Sequence, residues 1–234
     1  MQAKVFVTPI LRILVISSPL WLNDFYVPHV PKDADQLRAT LDFLVFVCWQ
    51  STLIYMGFQA GWYEFSDLGL SRVNLSKQLL QGLILLTVVL LILIGLAAIR
   101  TVLAKWFNVH IPPPEHTPLP NWNPVFVFLY VAYLAVSAGV FEEIVYRGIV
   151  ISQLRRVSEN RILLTCGSAF VFAMIHWSLG PAIMILAFAL GLFWAILFVR
   201  FRSLLPLVIA HGLFDFITFF HGHLVLLKSL GLDE

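Results

Sequence analysis

Charged side chains are scarce in this 234-residue chain. Lys, Arg, Asp and Glu make up 12% of the residues, whereas 60% are hydrophobic. A soluble domain carries about a quarter of charged residues, and so few charges cannot solvate the surface that a folded chain of this length leaves exposed. The composition therefore excludes a soluble enzyme, and because disordered chains have low hydrophobicity it excludes disorder as well. The solvent around this chain is predicted to be a lipid bilayer.

Cysteines are few, and tracts of basic residues are lacking. Cys48 and Cys166, the two cysteines, do not have the C-x-x-C spacing of a metal site. Each lies in an apolar segment, so both are expected to be buried free thiols. The formal charge is +2, with no cluster of Lys and Arg of the kind that binds nucleic acid, so nucleic acid is not expected as a partner.

Long apolar runs are abundant, and a run of about 20 residues can cross a bilayer as a helix. The run at 125–157 would be about 50 Å long as a helix, so it must project from the bilayer or break, most naturally at Gly139. The proline-rich stretch 100–124 is expected to be a loop. The predicted spans are Val5–Leu22, which could instead lie at the membrane interface, Thr40–Trp62, Leu79–Ile99, Val125–Val157, Arg161–Trp177, Ala182–Arg200 and Ser203–Phe220.

The predicted fold class is therefore all-α, a polytopic transmembrane helical bundle of six to seven spans without a soluble domain. Within one structural domain we distinguish N-terminal spans and loops at 1–123, a helical core at 124–222 and a tail at 223–234. The residues Ala187, Gly191 and Ala195 recur every four positions, which predicts a helix-packing face.

Several ionisable side chains lie inside the predicted spans, where a central Asp, Lys or Arg costs about 2.5 to 3.5 kcal/mol. At 1.5 Å per residue from turns on one side of the membrane, Glu142, His176 and Asp215 lie about 20, 22 and 18 Å deep, and His211 about 12 Å deep. Four such groups from three helices in one slab favour a functional site. Asp42, by contrast, lies near the end of a span and is expected to be interfacial.

The chemistry that these groups permit is hydrolysis. A buried carboxylate beside an imidazole, such as Glu142 with His176, can hold and deprotonate a water molecule. A second imidazole, His211, can donate to the oxyanion of an attacked carbonyl, and Asp215 is four residues further on, within reach of that ring. Phe172 lies one turn before His176 and is expected to pack against it.

Two further expectations concern charge balance and metal. Glu143 and Arg147 are four residues apart and are expected to form a structural ion pair. The sequence has neither H-E-x-x-H nor G-x-S-x-G, so the usual helix-borne zinc and serine sites are missing. Three protein ligands plus water is nevertheless a catalytic zinc pattern, and this alternative stays open for a set made of Glu142, His176 and His211.

Three short motifs occur in order along the chain, on three different predicted spans. Residues 142–147 match E-E-x-x-x-R, Phe172–His176 matches F-x-x-x-H and His211–Asp215 matches H-x-x-x-N/D. Together they resemble the CAAX protease and bacteriocin-processing (CPBP or Abi) family of intramembrane endopeptidases, over roughly 130–220. The resemblance implies a glutamate-type mechanism for which no cofactor is expected. It also implies these roles: Glu142 as general base, His176 holding the water, His211 and Asp215 on the oxyanion side, and Glu143 and Arg147 as supporting residues.

The implied partner is a membrane-associated protein or peptide substrate, within the lipid bilayer of a bacterial plasma (inner) membrane. Two other classes stay open. A non-catalytic membrane partner, such as a bacteriocin-immunity protein, could have the same fold. A transporter could use intramembrane charges as a relay, and would be expected to have discontinuous helices in corresponding halves of the chain.

Overall fold

The described part of the chain is helical, as predicted. The computed structural model describes residues 2–26, 29–31, 34–70, 74–107 and 119–232, and no strand occurs within these ranges. The helices in them are α1 (Gln2–Tyr26), α2 (Asp35–Gln59), α3 (Leu75–Phe107), α4 (Pro124–Arg155), α5 (Arg161–Leu179), α6 (Pro181–Phe201), α7 (Leu205–Phe219) and α8 (Gly222–Ser229).

Five of the described helices, α2 to α6, are long and apolar enough to cross a membrane. Helices α7 and α8 make a sixth candidate, bent by 76° at a short break, so that they form a broken span or a re-entrant loop. The apolar stretch Thr8–Leu22 of α1 is too short to be counted among them. The predicted transmembrane bundle is therefore confirmed, with five to six candidate spans where six to seven were expected.

Helix α3 is longer than its apolar run. It continues to Phe107, so the first part of the loop predicted at 100–124 is helical, and residues 108–118 lie outside the described ranges. The backbone hydrogen bonds of a helix do not depend on an apolar sequence, and the first proline able to stop this helix is Pro112. For the same reason α2 begins at Asp35, before the predicted Thr40.

Helix α4 is continuous, so of the two predicted alternatives the break at Gly139 is wrong, and the helix is long enough to project from a bilayer. Its winding changes at Glu143, where a π-helical segment, Glu143–Val150, begins. Gly139 instead allows a close approach, because a Cβ there would lie 2.8 Å from the backbone nitrogen of Gly212. Helices α4 and α7 therefore cross in backbone contact three residues before Glu142.

Helix α6 packs on α5 through the predicted face of small residues, which is confirmed. Ala187 and Ala195 are buried, and a Cβ at Gly191 would lie 2.7 Å from the ring of Phe172. Both cysteines are free, as expected, but Cys48 is exposed and Cys166 is only half-buried, so the expected burial is wrong for Cys48 and only partly met for Cys166. An apolar segment need not face the protein core, because lipid tails are as apolar as leucine.

Asp42 is buried between three helices, and its expected position at the membrane interface stays a prediction. The hydroxyl of Tyr26, at the end of α1, donates to it at 2.9 Å, and the hydroxyl of Tyr130 on α4 donates at 3.2 Å. Burial and the nearby Asp42 carboxylate raise the pKa of Tyr26, so that its hydroxyl keeps its proton as a donor. Because α2 starts earlier than its apolar run, Asp42 lies two turns inside the helix and ties α1, α2 and α4 together.

Candidate active site

The candidate site forms where α4 changes its winding. Glu142 is the last residue before the π-helical segment, and Glu143 and Arg147 lie within it. Segments of this kind occur often at functional sites, because the widened turn redirects side chains. Asn123 caps the start of α4 by accepting from the backbone nitrogen of Val125.

His211 on α7 is the centre of the charged cluster. Its Nδ1 lies 2.7 Å from Oε1 of Glu143, and its Nε2 lies 3.4 Å from Oδ2 of Asp215 and 3.8 Å from Oε2 of Glu142. The predicted contact between Asp215 and His211 is therefore confirmed. Both ring nitrogens face carboxylate oxygens, and three acidic side chains from two helices converge on one imidazole.

Glu143 forms the predicted ion pair with Arg147, and it does more than neutralise that charge. Arg147 Nε lies 3.3 Å from Glu143 Oε2, and both side chains are completely buried. The other oxygen of Glu143 makes the short contact with His211. Sequence reasoning missed this bridge, because two adjacent glutamates point about 100° apart on a helix and their order does not say which one faces α7.

The two glutamates differ in their access to water. The side chain of Glu142 is 9% exposed, whereas that of Glu143 is 0% exposed. The contact of Glu142 with His211, at 3.8 Å, is longer than a hydrogen bond. Glu143 is thus held between the Arg147 guanidinium and the His211 ring, whereas Glu142 is the one of the two glutamates whose side chain keeps a small exposed surface.

Phe172 links His176 to this cluster. Its ring packs edge-on against His176, with centroids 5.3 Å apart, which confirms the predicted contact. The guanidinium of Arg147 lies 4.5 Å from the centre of the same ring, and the ring of His211 lies 6.2 Å from it. Phe172 is therefore in contact with the supporting ion pair and with both imidazoles.

His176 lies in the final turns of α5, which have 3₁₀ geometry. Its backbone angles, φ −105° and ψ 17°, fall in the sparsely populated bridge region, where many active-site residues are found. The side chain is half-buried. The structure thus groups all seven predicted site residues around Phe172 and His211.

The alternative left open by the sequence is a zinc site formed by Glu142, His176 and His211. Among the residues that the structure describes, no three His, Cys, Asp or Glu side chains are grouped so that they could hold a metal ion. Glu142, His176 and His211 accordingly do not fit as a zinc site in this arrangement. That no cofactor is needed stays a prediction.

A family comparison bears on this part of the chain. Residues 123–217 match the family model described as type II CAAX prenyl endopeptidase Rce1-like. The matched segment contains every residue of the candidate site, and it confirms the resemblance that the three motifs carry. No curated protein and no solved structure matches the chain.

Proposed function

We propose, from the match of residues 123–217 to the type II CAAX prenyl endopeptidase Rce1-like family, that this chain is a glutamate-type intramembrane endopeptidase. The match indicates a CAAX-type membrane protease in general terms. The assignment of a glutamate as the general base is supported by one observation above all, the different exposure and ion pairing of Glu142 and Glu143. The side chain of Glu142 is 9% exposed and has no arginine or lysine ion-pair partner among the described residues, whereas Glu143 is fully buried and paired with Arg147. We place the protein in a bacterial plasma (inner) membrane, with a membrane-associated or exported protein as its substrate.

In the proposed reaction Glu142 removes a proton from a water molecule that His176 helps to hold. The water oxygen bonds to the carbonyl carbon of the scissile peptide, and the carbonyl electrons move onto its oxygen. When the C–N bond breaks, the proton on Glu142 passes to the leaving amine. No proton, electron or further reactant is left over.

His211 is proposed to stabilise the oxyanion through its Nε2–H, since Nδ1 is engaged by Glu143. Asp215, an acceptor when ionised, cannot donate to an oxyanion, so we assign it the orientation of the His211 ring in the resting site, where its Oδ2 faces Nε2 at 3.4 Å before the oxyanion takes over that N–H. Glu143 and Arg147 are positioning residues, because they act on the reaction through His211 and Phe172.

A cleavage assay in detergent tests the proposal. The probes are lipid-anchored peptides, including prenylated peptides that end in a CAAX sequence, and the products are identified by mass spectrometry. We expect cleavage that persists with a chelator and falls about 100-fold or more in His176→Ala. Loss of cleavage on chelation would establish the zinc alternative instead, and a wild-type chain that cleaves no probe would support a non-catalytic membrane partner.

Asp215→Asn is expected to retain substantial cleavage with a shifted pH profile. The amide keeps the shape of the side chain and can still contact Nε2 of His211, which lies 3.4 Å from the present carboxylate. What changes is the charge beside the ring. The measurement is kcat against pH for both proteins, and complete loss of cleavage at every pH would contradict an orienting role.

The transporter alternative has less support. It requires discontinuous helices in corresponding halves of the chain. Within the described ranges one helix pair, α7 with α8, is sharply bent, and the apolar helices of the first half, α2 and α3, are continuous.

A further inference from the structure

Helices α1 and α2 lie outside the segment that matches the protease family, yet they bury polar side chains against α4. Gln50 on α2 is completely buried, and its Nε2 donates to the backbone carbonyl of Ile16 on α1 at 3.0 Å. Its amide oxygen, Oε1, has no hydrogen-bond partner among the described residues. A buried amide with half of its hydrogen bonds unmade is unusual in a folded protein.

Three more buried polar groups, on α1 and α4, lie near Gln50. The hydroxyls of Ser17 on α1 and Tyr146 on α4 are sealed from solvent, as both residues are 0% exposed. The indole nitrogen of Trp21 is also buried. The indole nitrogen of Trp21 has no hydrogen-bond partner within the part of the chain that the structure describes. The hydroxyls of Ser17 and Tyr146 interact with each other, which uses the proton of only one of the two.

We group these four polar groups as one cluster, because Gln50 and Tyr146 contact α1 at the adjacent residues Ile16 and Ser17. Ser17 follows Ile16, to which Gln50 is bound, and its hydroxyl neighbours that of Tyr146. Trp21 lies one turn further along the same face of α1. The cluster combines a donor, the indole N–H, with an acceptor, the amide oxygen, and with two hydroxyls that can be either.

The cluster adjoins the candidate active site. Arg12 on α1 contacts Gln153 on α4 at 3.3 Å, and Ser17 neighbours Tyr146, so the two helices run antiparallel. One further turn of α1 brings Trp21 level with Glu142, since both helices advance 1.5 Å per residue. The ring of Tyr146 also packs edge-on against Phe172, with centroids 5.4 Å apart.

We propose that Ser17, Trp21, Gln50 and Tyr146 form an internal water-binding site that holds water next to the catalytic residues. A water molecule accepts from the indole and donates to the amide oxygen, which satisfies atoms that no protein group satisfies. Hydrolysis inside a bilayer consumes a water molecule where lipid supplies none. That the site supplies water to the reaction rests on the proposed protease function, whereas the presence of water in the site does not.

Hydroxyl-radical footprinting by X-ray radiolysis tests the hydration directly, because radicals formed from a bound water modify the adjacent side chain. We expect Tyr146 to be modified although it is fully buried. Tyr63 is the matched control, since it is 2% exposed and its hydroxyl donates to the carbonyl of Ile54. Modification of Tyr146 no greater than that of Tyr63 would overturn the proposal, whatever the chain cleaves.

Two substitutions test the supply of water to the reaction. Tyr146→Phe and Ser17→Ala each remove one hydroxyl, and we expect kcat to fall about tenfold, the effect of one hydrogen bond, with KM unchanged. Ser18→Ala and Tyr55→Phe are the controls, because Ser18 bonds to its own helix and Tyr55 is exposed. Each cluster variant should also lower the radiolytic modification of Trp21, which a loss of packing alone would not do.

The outcomes separate this proposal from the protease assignment. If Tyr146 is modified but kcat is unchanged in both variants, the site is hydrated and its role in supply is wrong. If both cluster variants are more heat-stable than the wild type, their hydroxyls were unsatisfied and the site holds no water. Neither result depends on whether Glu142 is the base.

Discussion

Glu142→Gln is expected to lower kcat for peptide cleavage by about 10²- to 10⁴-fold, the usual contribution of a general base. Glutamine has almost the same shape but cannot take a proton from water. Nε2 of His211 is 3.8 Å away, beyond hydrogen-bond distance, so little binding energy in the resting protein depends on this charge. The measurement is kcat and KM on a lipid-anchored peptide in detergent, with the melting temperature of both proteins.

Glu159→Gln is the matched control for this substitution. Glu159 is exposed in the turn between α4 and α5, so the same chemical change there should leave kcat unaltered. A Glu142→Gln protein that cleaves within about threefold of the wild type would exclude Glu142 as the base. An unchanged cellular phenotype of that variant would point to a non-catalytic membrane partner.

Glu143→Leu is expected to destabilise the fold by about 3 to 5 kcal/mol, as when one partner of a buried ion pair is removed. Arg147 would be left as a completely buried guanidinium without its carboxylate. His211 would lose its 2.7 Å contact at the same time. The measurement is unfolding in detergent followed by tryptophan fluorescence, and Glu64→Gln at an exposed position is the control.

The double variant Glu143→Leu/Arg147→Met separates charge from packing. Removing both charges eliminates the uncompensated guanidinium, so we expect most of the lost stability to return. Cleavage should not return with it, because His211 still lacks the carboxylate that holds its Nδ1. Equal activity in the double variant and the wild type would show that the pair neutralises charge without positioning His211.

Apolar composition determined the solvent and the fold class of this protein. With 12% charged residues the helices had to lie in a bilayer, and every ionisable side chain inside them became a candidate. Depth along the helices was enough to bring Glu142, His211 and Asp215 to one level, because helical rise is constant. The i, i+4 pairs Glu143–Arg147 and Phe172–His176 followed from the geometry of a single helix, and both contacts are present.

Tertiary structure decided what depends on contacts between helices. The sequence could not show which of Glu142 and Glu143 keeps an exposed surface. The π-helical turn at Glu143 and the packing of α7 set the direction of each side chain. The burial of Asp42 also depended on tyrosines from two other helices. The polar cluster of Ser17 and Gln50 with Tyr146 joins residues more than 30 positions apart, and no local pattern marks such a meeting. The scarcity of charge determined where this chain lies, but only helix packing decided which of its charged side chains are fully buried and which keep an exposed surface.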